Sequence, residues 1–441
     1  MRNSRYGGWK MIDIANDLVE KSTFATNLFR PNYMYNVFKV MPTLLEFLGL
    51  DIDNVSSLNR YSRFKRLFEQ HECFNVSKVI LFLVDSIGFE QIKHSSLISK
   101  LLDDGKGFLL SSVFPTITST VITSIYTGLP PEKHGILGHK IYVREIGNVV
   151  DMLGMNTVDF RERDALCKVG VDVKVFLWSK NIFDMVKGDF VHISLRDKYI
   201  AYSGLSKLIT EDRKVAVGYR NLIDLFSLAR RALKEYRDKK VFIDVYIGLL
   251  DDLAHKYGPS SEEYVLGLQF LEKLIEHFVD KLDEETRGET VIFICSDHGQ
   301  VMLKNERVVK FSEDDIAMVK EWIKTRPGKS GRVLHFYVPE EHMDKLKDWL
   351  EEKIGENGVV LEFRKVASEL FPEVGNPAMV EERVGNLLVI FDEGAESFVE
   401  REKEETVLEV EFKGSHGSLI LNELVVPAVF TKLDSLKNGN I

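Results

Sequence analysis

Cysteine is scarce in this chain. Cys73, Cys167 and Cys295 are the only three among 441 residues, and no two form a CxxC pair. An odd number of widely spaced thiols excludes both a disulfide framework and a thiolate zinc site. Glutamine is scarcer than usual, with four residues (Gln70, Gln91, Gln269, Gln300) in a chain rich in Glu and Lys, a balance that leans toward a thermophilic source. No stretch approaches about 18 uninterrupted apolar residues, and the opening run from Met1 to Lys10 leads into no apolar signal-like core. The expectation is a cytoplasmic protein that does not enter a membrane. An excess of positive charge is also missing. The formal charge of −10 argues against a general nucleic-acid binder, which carries a basic face to neutralise phosphates. A phosphate substrate would therefore need locally concentrated positive charge, and metal ions are the obvious source.

What is present describes a large globular enzyme-sized chain. Apolar residues make up 44% and charged residues 29% of the sequence, and 441 residues exceed the usual size of one core. One large domain with a smaller one or an inserted lid is expected. Three continuous apolar runs read as parallel strands buried on both faces: Lys78 to Val84, Val241 to Leu250 and Val291 to Ser296. A fourth strand is expected at Val173 to Trp178, with a loop-rich excursion from Glu145 to Asn156 before it. Asn221 to Tyr236 and the stretch opened by Ser260-Ser-Glu-Glu263 have helical apolar spacing, the latter through Tyr264, Leu268, Leu271, Ile275, Phe278 and Leu282. Residues 1–77 read as a lead-in packed on the main domain. From about 301 to 410 charged helices (Ser312 to Lys324, Glu340 to Ile354) alternate with short strands (Arg332 to Val338, Asn386 to Phe391), as in an inserted α+β cap, before a return to the core at 411–441.

Each apolar run ends on chemistry. The first delivers Asp85, the second Asp251 with His255 four residues on, the third Asp297-His298, and His416 sits in a Gly-flanked loop. Ligands in open α/β sheets bind beyond the carboxyl ends of strands, so these residues have the right address for one site. Three carboxylates and three imidazoles form a mixed N/O set that suits two zinc ions, with manganese possible, and has too few oxygens for calcium. Between the first two runs lies Phe114-Pro-Thr-Ile-Thr118-Ser-Thr120, followed by a buried helical run to Tyr126 that Gly128, Pro130 and Pro131 terminate. Thr118 then sits where a helix begins, beside unpaired N–H groups and the positive end of the helix dipole, which suits a phosphoryl group. A hydroxyl at that position is commonly just an N-cap, so the two readings compete.

These residues resemble the nucleotide pyrophosphatase/phosphodiesterase branch of the alkaline phosphatase superfamily. The resemblance rests on Val84-Asp85, Pro115-Thr-Ile-Thr118, Thr127-Gly128 with Pro131-Glu-Lys-His134-Gly135, Asp251-x-x-x-His255-x-x-Gly258-Pro259, Asp297-His298-Gly299 and Ser415-His416-Gly417. It implies a three-layer α/β/α sandwich with a largely parallel central sheet. It also implies one zinc held by Asp251, His255 and His416, a second held by Asp85, Asp297 and His298, and Thr118 as nucleophile touching the second ion. His139 and Lys140 lie where they could face the same site. Many members carry an asparagine three residues after the nucleophile, where this chain has Val121, and no assured arginine for a phosphate dianion is found. Arg332, within the expected cap, is one candidate, with an exposed, solvated arginine as the alternative. The expected substrate is a small, nucleotide-like phosphodiester or pyrophosphate, with a phosphomonoester or phosphonate as the alternative. No stable nucleic-acid or membrane partner is expected.

Overall fold

The protein is described by a computed structural model covering residues 18–209, 215–399 and 412–436. Its centre is a seven-stranded sheet. In chain order the strands are β1 (Lys78–Val84), β2 (Gly107–Ser111), β3 (Val191–Asp197), β4 (Val215–Tyr219), β5 (Val241–Ile247), β6 (Thr290–Cys295) and β7 (Val425–Lys432). Their spatial order is β4-β3-β5-β1-β6-β7-β2, with β7 the one antiparallel member. The most apolar strand is thus also the most central. Every residue of β1 is buried, and full burial of a Leu, Ile or Phe side chain contributes about 1.5–3 kcal/mol. Even Lys78 is covered, its ammonium 2.7 Å from Glu289.

Helices cover both faces. Phe82 packs against Phe226 and Phe278 from the helices Leu222–Glu235 and Glu262–Asp280. Asp244, paired across the ladder with Leu81 and so on the opposite face, meets Tyr126 of the helix Thr118–Thr127. This is the expected α/β/α sandwich. The long helix opens on Ser261, whose hydroxyl accepts from the Tyr264 amide, and the stripe from Tyr264 to Phe278 is buried as its spacing requires.

A second seven-stranded sheet has the order 358–362, 387–391, 333–336, 328–329, 140–143, 148–151 and 156–157, all antiparallel. It draws strands from both 140–157 and 328–391, across the expected boundary between core and insertion. The excursion expected at Glu145 to Asn156 is therefore partly regular: Asn148–Asp151 returns antiparallel on Lys140–Val143 through a turn at Gly147, whose φ is +68°. Pairing with a neighbour, not apolar content, makes these strands. Conversely, Val173 to Trp178 is no strand. Val173–Phe176 forms a 3-10 turn because the Asp172 carboxylate accepts from the Lys174 amide and no strand among the described residues pairs with it. Alternation along the second sheet splits its side chains. Leu334, Phe336, Leu387, Val389 and Phe391 share a separate small core with Leu346 and Leu350 of the helix Met343–Ile354, while Val333, Leu388 and Ile390 join the main core.

Candidate active site

The carboxyl edge of the central sheet gathers all seven predicted residues. Asp85 follows β1 directly, Asp297 and His298 follow β6, and the helix Leu249–Tyr257 begins two residues after β5. That helix places Asp251 and His255 one turn apart on one face, with His255 Nε2 3.5 Å from an Asp251 oxygen. His416 arrives on a loop pinned by the short pairing of Gly414–Ser415 with Val301–Met302.

The donor atoms form two overlapping groups. In one, His416 Nε2 lies 3.2 Å from His255 Nε2 and 3.6 Å from Asp251 Oδ1. In the other, His298 Nε2 lies 3.5 Å from Asp85 Oδ1 and 3.4 Å from Asp297 Oδ2. His298 sits between them, its ring stacked on that of His416 at 3.8 Å, and it groups as closely with Asp251 and His416 as with the two aspartates. Donors at about 2.0–2.1 Å from a tetrahedral zinc stand roughly 3.3 Å apart, so these separations match the edges of a tetrahedron around an ion.

Second partners set which ring atom points inward. Nδ1 of His255 faces the Gly414 carbonyl at 2.9 Å, Nδ1 of His416 the Thr116 carbonyl at 2.8 Å, and Nδ1 of His298 the Gly299 carbonyl at 3.2 Å. Carbonyls only accept, so each Nδ1 carries the proton and each Nε2 turns its lone pair into the pocket. Two such lone pairs at 3.2 Å repel unless a proton or a metal cation lies between them. The carboxylates show the same deficit: Asp85 Oδ1 and Asp297 Oδ2 are buried without a hydrogen-bond partner among the described residues. Burial, then the neighbouring carboxylates, holds Asp85 and Asp251 well above the usual carboxylate range, and burial pushes Asp297 up to about 7. Burial lowers His298 to about 4, and burial with the adjacent imidazoles lowers His416. Neutral imidazoles beside unpaired buried carboxylates are the donor set a divalent cation takes.

Thr118 is the first residue of its helix. The N-cap is Ile117, so the Thr118 hydroxyl caps nothing and instead lies 3.2 Å from His298 Nε2. The N-cap reading is thereby set aside. Val121 is buried in the main core, three residues further on. His134, in the same family-like motif, is structural: it bonds Ser124 at 2.8 Å and accepts from the Ile136 amide. His139 is tied to Asp151 at 3.1 Å, and Lys140 opens the second sheet beside Asp151 and Lys329.

Arg332 is neither an exposed arginine nor a free phosphate-binding group. It is fully buried, paired with Glu423 and hydrogen-bonded to the carbonyls of Ala395, at 2.8 Å, and Asp392. Several contributors escaped the sequence reading. Tyr246 donates its hydroxyl to Asp85, Gln300 donates to Asp251 at 2.8 Å, and Thr116 orients His416. Tyr246 lies in an apolar run and differs in sequence from a packing aromatic in no respect; only its neighbour across the β1–β5 ladder reveals its role.

Beside Asp251 opens a cavity of about 700 Å³, walled by Tyr199, Tyr219, Leu222, Tyr246 and Phe270. No helix among the described residues is long and apolar enough to cross a membrane.

Relatives supply the remaining context. The murine ectonucleotide pyrophosphatase/phosphodiesterase 5 has a similar fold, with a TM-score of 0.57 at 13% identity over 80% of this chain and 87% of that one. The phosphonoacetate hydrolase of Sinorhizobium meliloti 1021, in complex with phosphonoformate, matches with a TM-score of 0.56 at 17% identity over 81% of this chain and 94% of that one. An inactive form of the murine protein in complex with AMP matches with a TM-score of 0.53 at 14% identity, over 80% of this chain and 87% of that one. No curated protein matches. The sequence model of the type I phosphodiesterase / nucleotide pyrophosphatase family matches residues 79–419, a span that contains all seven site residues. By that match the chain belongs to the type I phosphodiesterase / nucleotide pyrophosphatase family, within the alkaline phosphatase superfamily, and is a hydrolase of phosphoric ester bonds.

Proposed function

We propose that the protein cleaves phosphodiester or pyrophosphate bonds of small, nucleotide-like molecules through a covalent phosphothreonine at Thr118. The observation that carries this reading is the Thr118 hydroxyl, free of any capping bond, 3.2 Å from His298 Nε2 at the rim of the six donor residues. Asp251, His255 and His416 would hold one zinc ion and Asp85, Asp297 and His298 the other, manganese being the substitute. Bound there, the two ions supply Lewis acidity that lowers the pKa of a coordinated oxygen and neutralises charge on the reacting phosphoryl group. Thr118 Oγ1 releases its proton to solvent as it attacks phosphorus, the bond to the leaving oxygen breaks and that oxygen takes up a proton, and the phosphoryl group with its remaining ester stays on Thr118. Water then attacks the same phosphorus and releases the threonine oxygen. The Thr118 and Ser119 amides, ahead of the Thr120 and Val121 amides that bond to the Ile117 carbonyl, would donate to the anion.

Two features favour a diester over a monoester. Arg332, the one arginine considered for a dianion, is committed to Glu423. The aromatic cavity beside Asp251 has room for the organic group that a diester carries. Residues 301–410 are read as an inserted cap. Three unpaired thiols, Cys73, Cys167 and Cys295, fit a reducing, cytoplasmic setting.

The test compares bis-p-nitrophenyl phosphate with p-nitrophenyl phosphate, using zinc-loaded protein and its Thr118→Ala variant. The expected result is faster turnover of the diester, loss of turnover in the variant, and retained metal in both. Preference for the monoester would move the protein to the phosphomonoesterases, and wild-type-like activity in the variant would end the threonine mechanism.

A further inference from the structure

We infer that the buried pair Arg332–Glu423 is the positioning element of the site: it locks the loop carrying His416 onto the loop carrying Thr118, and it makes the second sheet part of the catalytic apparatus. This inference rests on the two-ion reading above.

Glu423 lies on a short helical turn just before β7 and is fully buried, as is Arg332. One carboxylate oxygen takes the Arg332 guanidinium. The other accepts three bonds: from the Gly417 amide at 2.7 Å, the Ser418 amide at 2.6 Å and the Thr116 hydroxyl at 2.8 Å. The backbone carbonyl of Glu423 also accepts from Gly299 at 3.0 Å. A single residue therefore touches the neighbour of His416, the residue two before Thr118, and the residue after His298. Its partner Arg332 adds a grip from the other side, its own amide donating to the His416 carbonyl at 3.0 Å. The His416–Gly417 peptide is thus held at both its oxygen and its N–H.

The orientation of His416 follows from this clamp. Thr116 binds Glu423 through its hydroxyl and binds His416 Nδ1 through its carbonyl, at 2.8 Å, which is what turns Nε2 toward Asp251 and His255. Space is as restrictive as hydrogen bonding. Gly331 has φ of +56°, and a Cβ there would stand 1.9 Å from the His416 carbonyl oxygen, so the turn bearing Arg332 fits only as glycine.

A purely structural role explains this arrangement poorly. Removing two charges from water is costly, and a well-packed apolar pair of equal volume commonly serves stability as well or better. The pair's hydrogen bonds converge instead on the loops of His416, Thr118 and His298. Residues that fix metal ligands from behind typically change metal affinity or activity by about 10–100-fold when altered.

The test is Glu423→Gln, which keeps shape and removes the charge, with Thr116→Val as a milder second variant. Arg364→Ala, which breaks an exposed ion pair with Glu381 in the same segment, is the control. Each protein is loaded with zinc, challenged with a graded chelator, and its metal content measured per chain; cobalt-loaded samples are compared by visible absorption. The expected result is loss of one of the two ions from Glu423→Gln at about 10–100-fold lower chelator than wild type requires, with an altered cobalt spectrum, and a smaller shift in the same direction for Thr116→Val. The control should match wild type. A folded Glu423→Gln with wild-type chelator resistance and spectrum overturns the inference. If Glu423→Gln does not fold, Thr116→Val decides, and wild-type behaviour there overturns it equally. These readouts need no substrate. A wild type that takes up no metal pair would sink the proposed function and the clamp's role together, whereas an intact pair in Glu423→Gln sinks the clamp alone.

Discussion

Two buried aspartates on the same sheet behave in opposite ways. Asp244, in the middle of β5, has its carboxylate 2.6 Å from His192 and 3.0 Å from Ser194, with Arg196 and the Tyr126 hydroxyl completing its shell. These partners hold it at about 2 although it is wholly buried. Asp297, just beyond β6, is as deeply buried, and burial with the Asp251 carboxylate pushes it up to about 7 although the amides of Ser86 and His298 donate to it. Burial is common to both, so the difference is supply of positive charge. The fold furnishes the Arg196 cation to the carboxylate that builds the structure, whereas Asp85, Asp251 and Asp297 of the candidate site receive only neutral donors from Tyr246, Gln300 and the amides of Ser86 and His298. A site short of positive charge is one prepared for ions from solution.

The comparison breaks most sharply at Asp85. Asp85→Ala should cost roughly a thousandfold or more in turnover, the order associated with losing charge stabilisation at the reacting group. Metal content should fall from two ions to one per chain while the folded far-UV spectrum persists. An unchanged metal content would place the ions elsewhere.

On the other side, Arg196→Met leaves Asp244 buried with less compensation, and breaking a buried pair in this way costs about 3–5 kcal/mol. Thermal unfolding should shift down accordingly. The fraction that remains folded should keep its metal, because His192, Ser194, Arg196 and Tyr126, the partners of Asp244, include none of the six donor residues. Metal loss without destabilisation would reverse the two roles.

The smallest effect is on pH. In chelated protein Asp297 ionises near 7 when folded, above its unfolded range, so the folded state binds more protons between about pH 4 and 7. Asp297 should therefore contribute stability to the metal-free protein that falls as pH rises through that window, against the opposite contribution of His298, which burial lowers to about 4. Asp297→Asn should lose the falling component that wild type shows, and saturating zinc should remove the difference. Denaturant titrations at pH 5 and 8, with and without metal, check the sign. A chelated Asp297→Asn with the same change in stability between the two pH values as chelated wild type would show that Asp297 is already compensated.

Much of the fold was legible because apolar runs of strand length ending on acids have few alternatives. β1, β5 and β6 lie where their composition places them, and Asp85, Asp251 and Asp297 follow from their ends. The short polar strands at 148–151 and 156–157 were not legible, since their pairing depends on a neighbour distant in kind, and the 3-10 turn at Val173–Phe176 mimics a strand in composition. Arg332 shows the same limit at the site. A sequence assigns its charge but not its burial, and that burial turned a candidate substrate contact into a clamp on the catalytic loops.

The residue types alone determined the chemistry: three carboxylates, three imidazoles and an alcohol at a helix start, a set whose donor atoms admit few ions and few reactions. The tertiary structure alone decided which of them share a pocket, which ring nitrogen each histidine presents, and that Tyr246, Thr116 and Glu423 belong to the same assembly. The physical reason is range. Periodicity and capping act over a few residues, whereas a hydrogen bond between Thr116 and Glu423 joins positions 307 apart and exists only after the sheet has closed.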